Sequence, residues 1–452
     1  MKSDSLLDGQ QRLTTLCGAL FWKGDDQSSI WNIHFDLDAE VFIRPKEPNL
    51  INLFPLNKII QTSDFIRQCM KFDHHNKRDE YFRVAERLLK SIKDYKIAVV
   101  KIGDMTIDEV APIFERINST GRKLTIVDLM MAATWSDKFD LTSEINKIKE
   151  ECRAVGFDEI SDPIILRSIS ASAGLGINKD DIQRLRSKGA TELSDAAQEA
   201  KRSIVQALEF FRDEIGIKDF SYLPYGFQFT YLTEYFRLVP EPTSENTKHL
   251  IEWFWFTSVT TYFRTSNTGQ VSKELALIRS FAQGTRSRLF DYQEIDISML
   301  LYDKFNLRNA TSTTFTVLLN SLNPNKTLDG MAIDGSHLKV KSNKFFASFC
   351  PKNGGLERFN ISKVIYPYSQ PAQGLRGLQS ITSTELHILN QECVELVQAE
   401  NYNGYLVERA NLIAELVKKL TGCQAKYRTL ESSFDMDDSI DLDDQVTDET
   451  SE

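Results

Sequence analysis

Apolar residues recur along this chain with two different periods, and the period changes at a few marked places. Leu13, Leu16, Cys17, Leu20 and Phe21 follow the i, i+3, i+4, i+7, i+8 rule, which predicts a helix over residues 8–22 with one buried stripe. Short alternating runs, Trp31 to Phe35 and Val41 to Ile43, predict strands. Charged helical patterns cover residues 62–71 and 76–94. The β-branched run from Lys96 to Ile102, closed by Gly103, predicts a buried strand. A helix over 107–117, a turn at Asn118-Ser119-Thr120-Gly121 and a further helix from 126 complete this part.

From 138 to 300 the pattern is almost wholly helical, with long periodic segments at 191–214, 225–238, 245–263 and 270–283. Residues 306–380 read as irregular and rich in Asn and Gly, followed by helices at 382–400 and 403–421. The divisions expected are therefore 1–137, 138–300, 301–430 and a tail over 431–452, in an α+β protein with a large helical middle.

Charge changes this picture at one end. The 452-residue chain carries 54 basic and 64 acidic side chains, for a net charge of −10. Residues 431–452 hold ten of the acids and no Lys or Arg, so the body is neutral and the tail is expected to be disordered. A neutral body excludes a nucleic-acid binder that works by bulk positive charge. The six cysteines are scattered with no CxxC, which argues against a disulfide framework or a thiolate zinc site. MKSDSLLDGQQR has no apolar signal core, and the run Ile251 to Phe263 contains Glu252 and is too short to span a bilayer. A cytoplasmic protein is expected, with no membrane partner.

Two motifs carry chemistry. In Leu7-Asp8-Gly9-Gln10-Gln11-Arg12-Leu13, Asp8 can cap the helix and Gln11 can return a bond to the cap. Gly9 lets a ligand approach the backbone, and the first-turn N–H groups with Arg12 favour an anion. Asp8 would repel a bare phosphate, so a metal ion or water must stand between them if both serve one ligand. In Phe114-Glu115-Arg116-Ile117-Asn118-Ser119-Thr120-Gly121-Arg122-Lys123-Leu124-Thr125, turn N–H groups lie beside Arg116, Arg122 and Lys123, another anion-binding arrangement. Thr125 with Asp128 spells a capping box. The plain alternatives are a capped helix with a surface arginine and an ordinary helix–turn–helix joint.

The pair of motifs, DGQQRLTT followed about a hundred residues later by FERINSTGRKLT, resembles the GmrSD-type restriction family. The resemblance implies an N-terminal domain of ParB/sulfiredoxin-like fold, short here because relatives carry a strand-bearing segment ahead of the motif. It implies a prokaryotic defence protein that binds and hydrolyses a nucleoside triphosphate with Mg²⁺ and acts on foreign or modified DNA. By the same likeness, Asp8, Gly9, Gln10, Gln11 and Arg12 line the nucleotide site, with Asp8, Gln11 and Arg12 catalytic and Asp8 on the metal. Arg116, Asn118, Gly121 and Leu124 would form its second wall, and Arg122 and Lys123 of the same loop are further candidate nucleotide-binding residues.

Many relatives end in an HNH-like nuclease module with a His-His-Ile-Phe-Pro-Lys-Asn core. The corresponding segment here is Ala347-Ser348-Phe349-Cys350-Pro351-Lys352-Asn353, which lacks the histidines, so intrinsic cleavage is not expected. DNA contact through local Arg and Lys loops, a separate nuclease chain as partner, and self-association are expected. A non-catalytic adaptor that binds a partner chain is the rival reading. His74-His75-Asn76 reads as a helix cap with Asp79, and His337, His387 and the Trp253 to Phe256 run read as packed residues.

Overall fold

In the computed structural model, which describes residues 9–97, 99, 125–368 and 374–428 except Lys46, Pro48 and Gln379, the chain divides into two units, Met1–Lys123 and Leu124–Glu452. The first holds helix α1 (Gln10–Phe21), strands β1 (His34–Asp36), β2 (Val41–Ile43) and β3 (Leu53–Pro55), and helices α2 (Thr62–Cys69) and α3 (Arg78–Asp94). The strands form an antiparallel sheet of order β2-β1-β3, in which Phe35 stands opposite both Phe42 and Phe54. Phe35, Phe54, Phe65, Phe72, Tyr81 and Leu88 build the core beneath it. Asp38 fastens α3 to the loop after β1, accepting from Lys77 Nζ at 2.6 Å and from the Tyr81 hydroxyl at 2.8 Å. The strand expected over 96–102 lies mostly, and the helix over 107–117 wholly, outside the described residues.

Helix α1 is where expected, but it packs on a different face. Ala19 is buried and Leu20 half-buried, whereas Leu13, Leu16, Cys17 and Phe21 are exposed. The reason is Gly18: a Cβ there would lie 2.4 Å from the Trp31 ring, so the helix seats its small-residue side against that indole. Asn57 Nδ2 then donates to the carbonyl of Trp22, at the end of α1.

The second unit opens with α4 (Ile126–Thr134), α5 (Leu141–Ala154), α6 (Asp162–Ser172), the short α7 (Lys179–Gln183), α8 (Ala190–Phe210), α9 (Gly226–Leu238), α10 (Ser244–Val259) and α11 (Thr268–Ala282). Helix α9 packs against α6, α8 and α11. The expected core aromatics are buried, Trp253, Phe254, Trp255 and Phe256 among them. A charged knot ties three helices: buried Glu234 of α9 accepts from Arg237 at 2.7 Å and from Arg279 of α11 at 2.6 Å. Arg279 also donates to the carbonyl of Leu175, just beyond α6.

Beyond the bundle come β4 (Glu294–Asp296), α12 (Ser298–Tyr302), α13 (Ala310–Asn320), β5 (Phe346–Ser348), β6 (Lys363–Ile365), α14 (Gln391–Gln398), α15 (Tyr402–Thr421) and β7 (Gln424–Lys426). Helix α10 packs against both α13 and α15. Strands β5 and β6 are antiparallel, with Ala347 opposite Val364, and β7 runs parallel to β4. Helix α13 corrects the expectation of irregular chain. Every residue of Thr311 to Asn320 is buried, so no polar face marks a period. The hydroxyls of Ser312, Thr313, Thr314 and Thr316 donate to carbonyls instead, as Thr316 does to Ser312 at 2.9 Å. No helix among the described residues is long and apolar enough to cross a membrane.

Candidate functional site

The N-terminal motif is built around the start of α1. Gly9 is the N-cap, with φ 89° and ψ 6°, a left-handed conformation that glycine adopts without a steric penalty. Its carbonyl accepts the first helical bond, from Leu13 N at 2.9 Å. The cap therefore falls one residue after Asp8, which places Arg12, and not Gln11, at the third helical position. Asp8 itself lies outside the described residues.

Glycine brings no capping side chain, and no acid occupies the first turn of α1. A helix start leaves its first N–H groups without intrahelical partners and carries partial positive charge. The Arg12 guanidinium adds a full charge at the same end: a Cβ built on Gly9 would lie 3.6 Å from Nη2 and 3.8 Å from Nε. Gln11 is exposed, and its carbonyl accepts the Thr15 hydroxyl at 2.8 Å, which stiffens this turn. Gly9, Gln10, Gln11 and Arg12 thus gather at one helix start, suited to a phosphate. Arg116, Asn118, Gly121, Arg122, Lys123 and Leu124 lie outside the described residues. Just past them the capping box forms as spelled: Asp128 N donates to the Thr125 hydroxyl, and Thr125 N to the Asp128 carboxylate at 3.0 Å.

Three of the six histidines, His34, His337 and His387, are buried. His34 is buried on β1, and burial, helped by Lys71, pushes its pKa down to about 4. His75 Nδ1 accepts from Lys77 N at 3.2 Å while its ring stacks on Tyr81, and the N-cap of α3 is Lys77 rather than Asn76. His337 meets Asn320 at 2.8 Å and His387 meets the Lys326 carbonyl at 2.8 Å. Burial lowers the pKa of both. Among the described residues no three His, Cys, Asp or Glu side chains gather as a metal site.

In the C-terminal hairpin, Ala347 is buried on β5 and Ser348 accepts from Cys350 N at 3.0 Å. Arg409 of α15, wholly buried, holds this module together by donating to the Ile361 carbonyl at 2.6 Å and the His387 carbonyl at 3.3 Å.

Neither motif marks a local excess of positive charge in the C-terminal part. Residues 301–378 carry ten Lys or Arg against four Asp or Glu, inside a body that is neutral. Lys304, Arg308, Lys326, Lys339, Lys344, Lys352 and Arg376 are exposed, and none forms an ion pair among the described residues. Cations elsewhere commonly pair, as Lys58 and Arg67 do on Asp64 and Arg87 does on Glu40. Several lie around the β5–β6 hairpin: Lys304 bridges to Phe359, Lys344 precedes β5, and Lys352 follows it. Half-buried Lys363, over the Phe305 ring at 5.6 Å, has its pKa lowered by burial, with Lys352 close enough to contribute. A running sum of charge over 301–378 would have found this surface in the sequence.

Compared with known proteins, residues 2–135 match the family model described as GmrSD restriction endonuclease, N-terminal domain. Over 504 aligned positions the chain is 21% identical to an uncharacterized protein of Methanocaldococcus jannaschii, an alignment that covers 92% of this chain and 84% of that protein.

Proposed function

Taking residues 2–135 as a GmrSD-type N-terminal domain, the family to which this part of the chain belongs, we propose that the protein is the nucleotide-binding, NTP-hydrolysing component of a restriction-like defence system acting on foreign or modified DNA. The observation that supports it is the Arg12 guanidinium held over left-handed Gly9 at the start of α1. There the helix N–H groups and Arg12 bind and orient the terminal phosphates, and Gln11 positions a water. The first turn of α1 holds no acid, so Asp8 would be the residue to hold a Mg²⁺, which would neutralise phosphate charge there. Arg116, Asn118, Gly121, Arg122 and Lys123 close the site as a second anion-binding wall. The ParB/sulfiredoxin-like fold of this domain and a cytoplasmic location belong to the same proposal. Purified full chain should turn over a nucleoside triphosphate with Mg²⁺, faster with DNA, and Arg12→Ala should abolish that turnover. Absence of both binding and turnover in the wild type refutes the enzyme.

A second reading has its own support. Ala347 and Ser348 stand on β5 in the segment that resembles an HNH core, in place of its histidines, which favours a chain that recruits a separate nuclease and does not cut. Co-purification with a separately encoded nuclease, without intrinsic cleavage, would favour this adaptor.

A further inference from the structure

The positive excess of residues 301–378 and the acidic segment 431–452 are complementary in charge, and both mix apolar with charged residues. Six surplus positive charges lie within residues 301–378, and ten acids with no Lys or Arg within 431–452. The last described residues put the root of the acidic segment close to that surface. Tyr427 donates to Asn411 at 2.5 Å, and Arg428 N donates to the Ser298 hydroxyl at 3.0 Å, at the first residue of α12. Helix α12 leads within two residues of its end to Lys304, which bridges to Phe359 beside the hairpin. A five-residue helix and two extended residues place Lys304 roughly 15 Å from Ser298, whereas 22 extended residues reach roughly 70 Å. The segment also sets Phe434, Met436, Ile440 and Leu442 among its carboxylates. The basic stretch exposes Met331, Val340 and Tyr368 among its lysines.

We propose that residues 431–452 dock on the basic residues around the β5–β6 hairpin, Lys304, Lys344 and Lys352, and occupy them as a polyanion in place of nucleic acid. That the displacing ligand is DNA rests on the function proposed above; the docking itself does not. The carboxylates pair with cations that have no ion-pair partner among the described residues, and the apolar side chains cover the exposed ones between them. Because tail and surface belong to one chain, the contact is intramolecular and has a high effective concentration. A polyanion in trans must outcompete it.

The test uses the full chain and a chain ending at residue 430. Zero-length carbodiimide coupling at about 50 mM salt should join carboxylates of 431–452 to lysines of 301–378, and these products should fade at about 500 mM. A duplex of about 20 base pairs should suppress them. The shortened chain should bind that duplex roughly tenfold more tightly at low salt, with the advantage gone at high salt. Cross-links spread over lysines of 1–300, or none at all, would overturn the docking, as would equal DNA affinity of two chains that both bind. Cross-linking needs neither nucleotide nor DNA. Cross-links to the basic surface in a chain that never binds DNA would therefore support the docking and refute DNA as the displacing ligand.

Discussion

The Arg12 guanidinium lies over the α-carbon of Gly9, with Nη2 3.6 Å from where a side chain would begin. That is an ordinary contact distance, so the cost of Gly9→Ala falls on the backbone, held at φ 89°. We expect Gly9→Ala to lower the unfolding free energy by about 1 kcal/mol. Gly18→Ala is a different case, because Trp31 stands 2.4 Å from the new carbon. Overpacking there should cost about 1–3 kcal/mol and loosen α1 from its unit. Denaturant titration of the two variants reads both; equal losses would mean that α1 does not seat on Trp31.

Glu234 is shared by Arg237 and Arg279 inside the helical bundle. Glu234→Ala removes the carboxylate that Arg279 pairs with and leaves Arg237 only Glu199, at 3.5 Å. Losing one member of a buried pair costs about 3–5 kcal/mol. Thermal unfolding should show a clear fall, and a loss within about 0.5 kcal/mol, the range of surface substitutions, would show that the knot is dispensable.

His34 gives the first unit a pH dependence with a definite sign. The folded imidazole gains its proton only near pH 4, whereas the unfolded one titrates at 6.5. Between these values the unfolded chain binds more protons, so stability is complete above 6.5 and is lost as pH falls toward 4. The loss should be on the order of 3 kcal/mol. Unfolding measured from pH 7 down to 4 should slope in the wild type and flatten in His34→Gln. Parallel slopes would rule His34 out as the source.

In the helical middle α11 was legible because its burial is one-sided, with Val271, Glu274, Leu275, Ile278 and Phe281 on one stripe, and α9 also falls where expected although Gln228 to Phe236 are all buried. Helix α13 was not, since a helix buried on every side shows no period and its Ser and Thr residues read as loop. The apolar stripe Leu13, Leu16, Cys17 and Phe21 misled for a packing reason. Gly18 and Ala19 allow closer approach than the larger side chains, and Trp31 takes that face. At the candidate site the residue types were legible, but the hand of the turn was not. Asp8 and Gly9 both suit a cap, and only the backbone shows that Gly9 takes the position, with Arg12 folded over it. The basic surface around β5 and β6 was hidden by a whole-body charge of zero, which averages a local excess away.

The most direct measurement is equilibrium binding of a Mg²⁺–nucleoside triphosphate to the full chain beside Arg12→Ala and Arg12→Lys. Wild type should bind, Arg12→Ala should bind at least about tenfold more weakly, equivalent to about 1.4 kcal/mol, and Arg12→Lys should recover part of the loss. Binding that is the same in all three proteins, or absent from the wild type, would contradict a phosphate site at the start of α1.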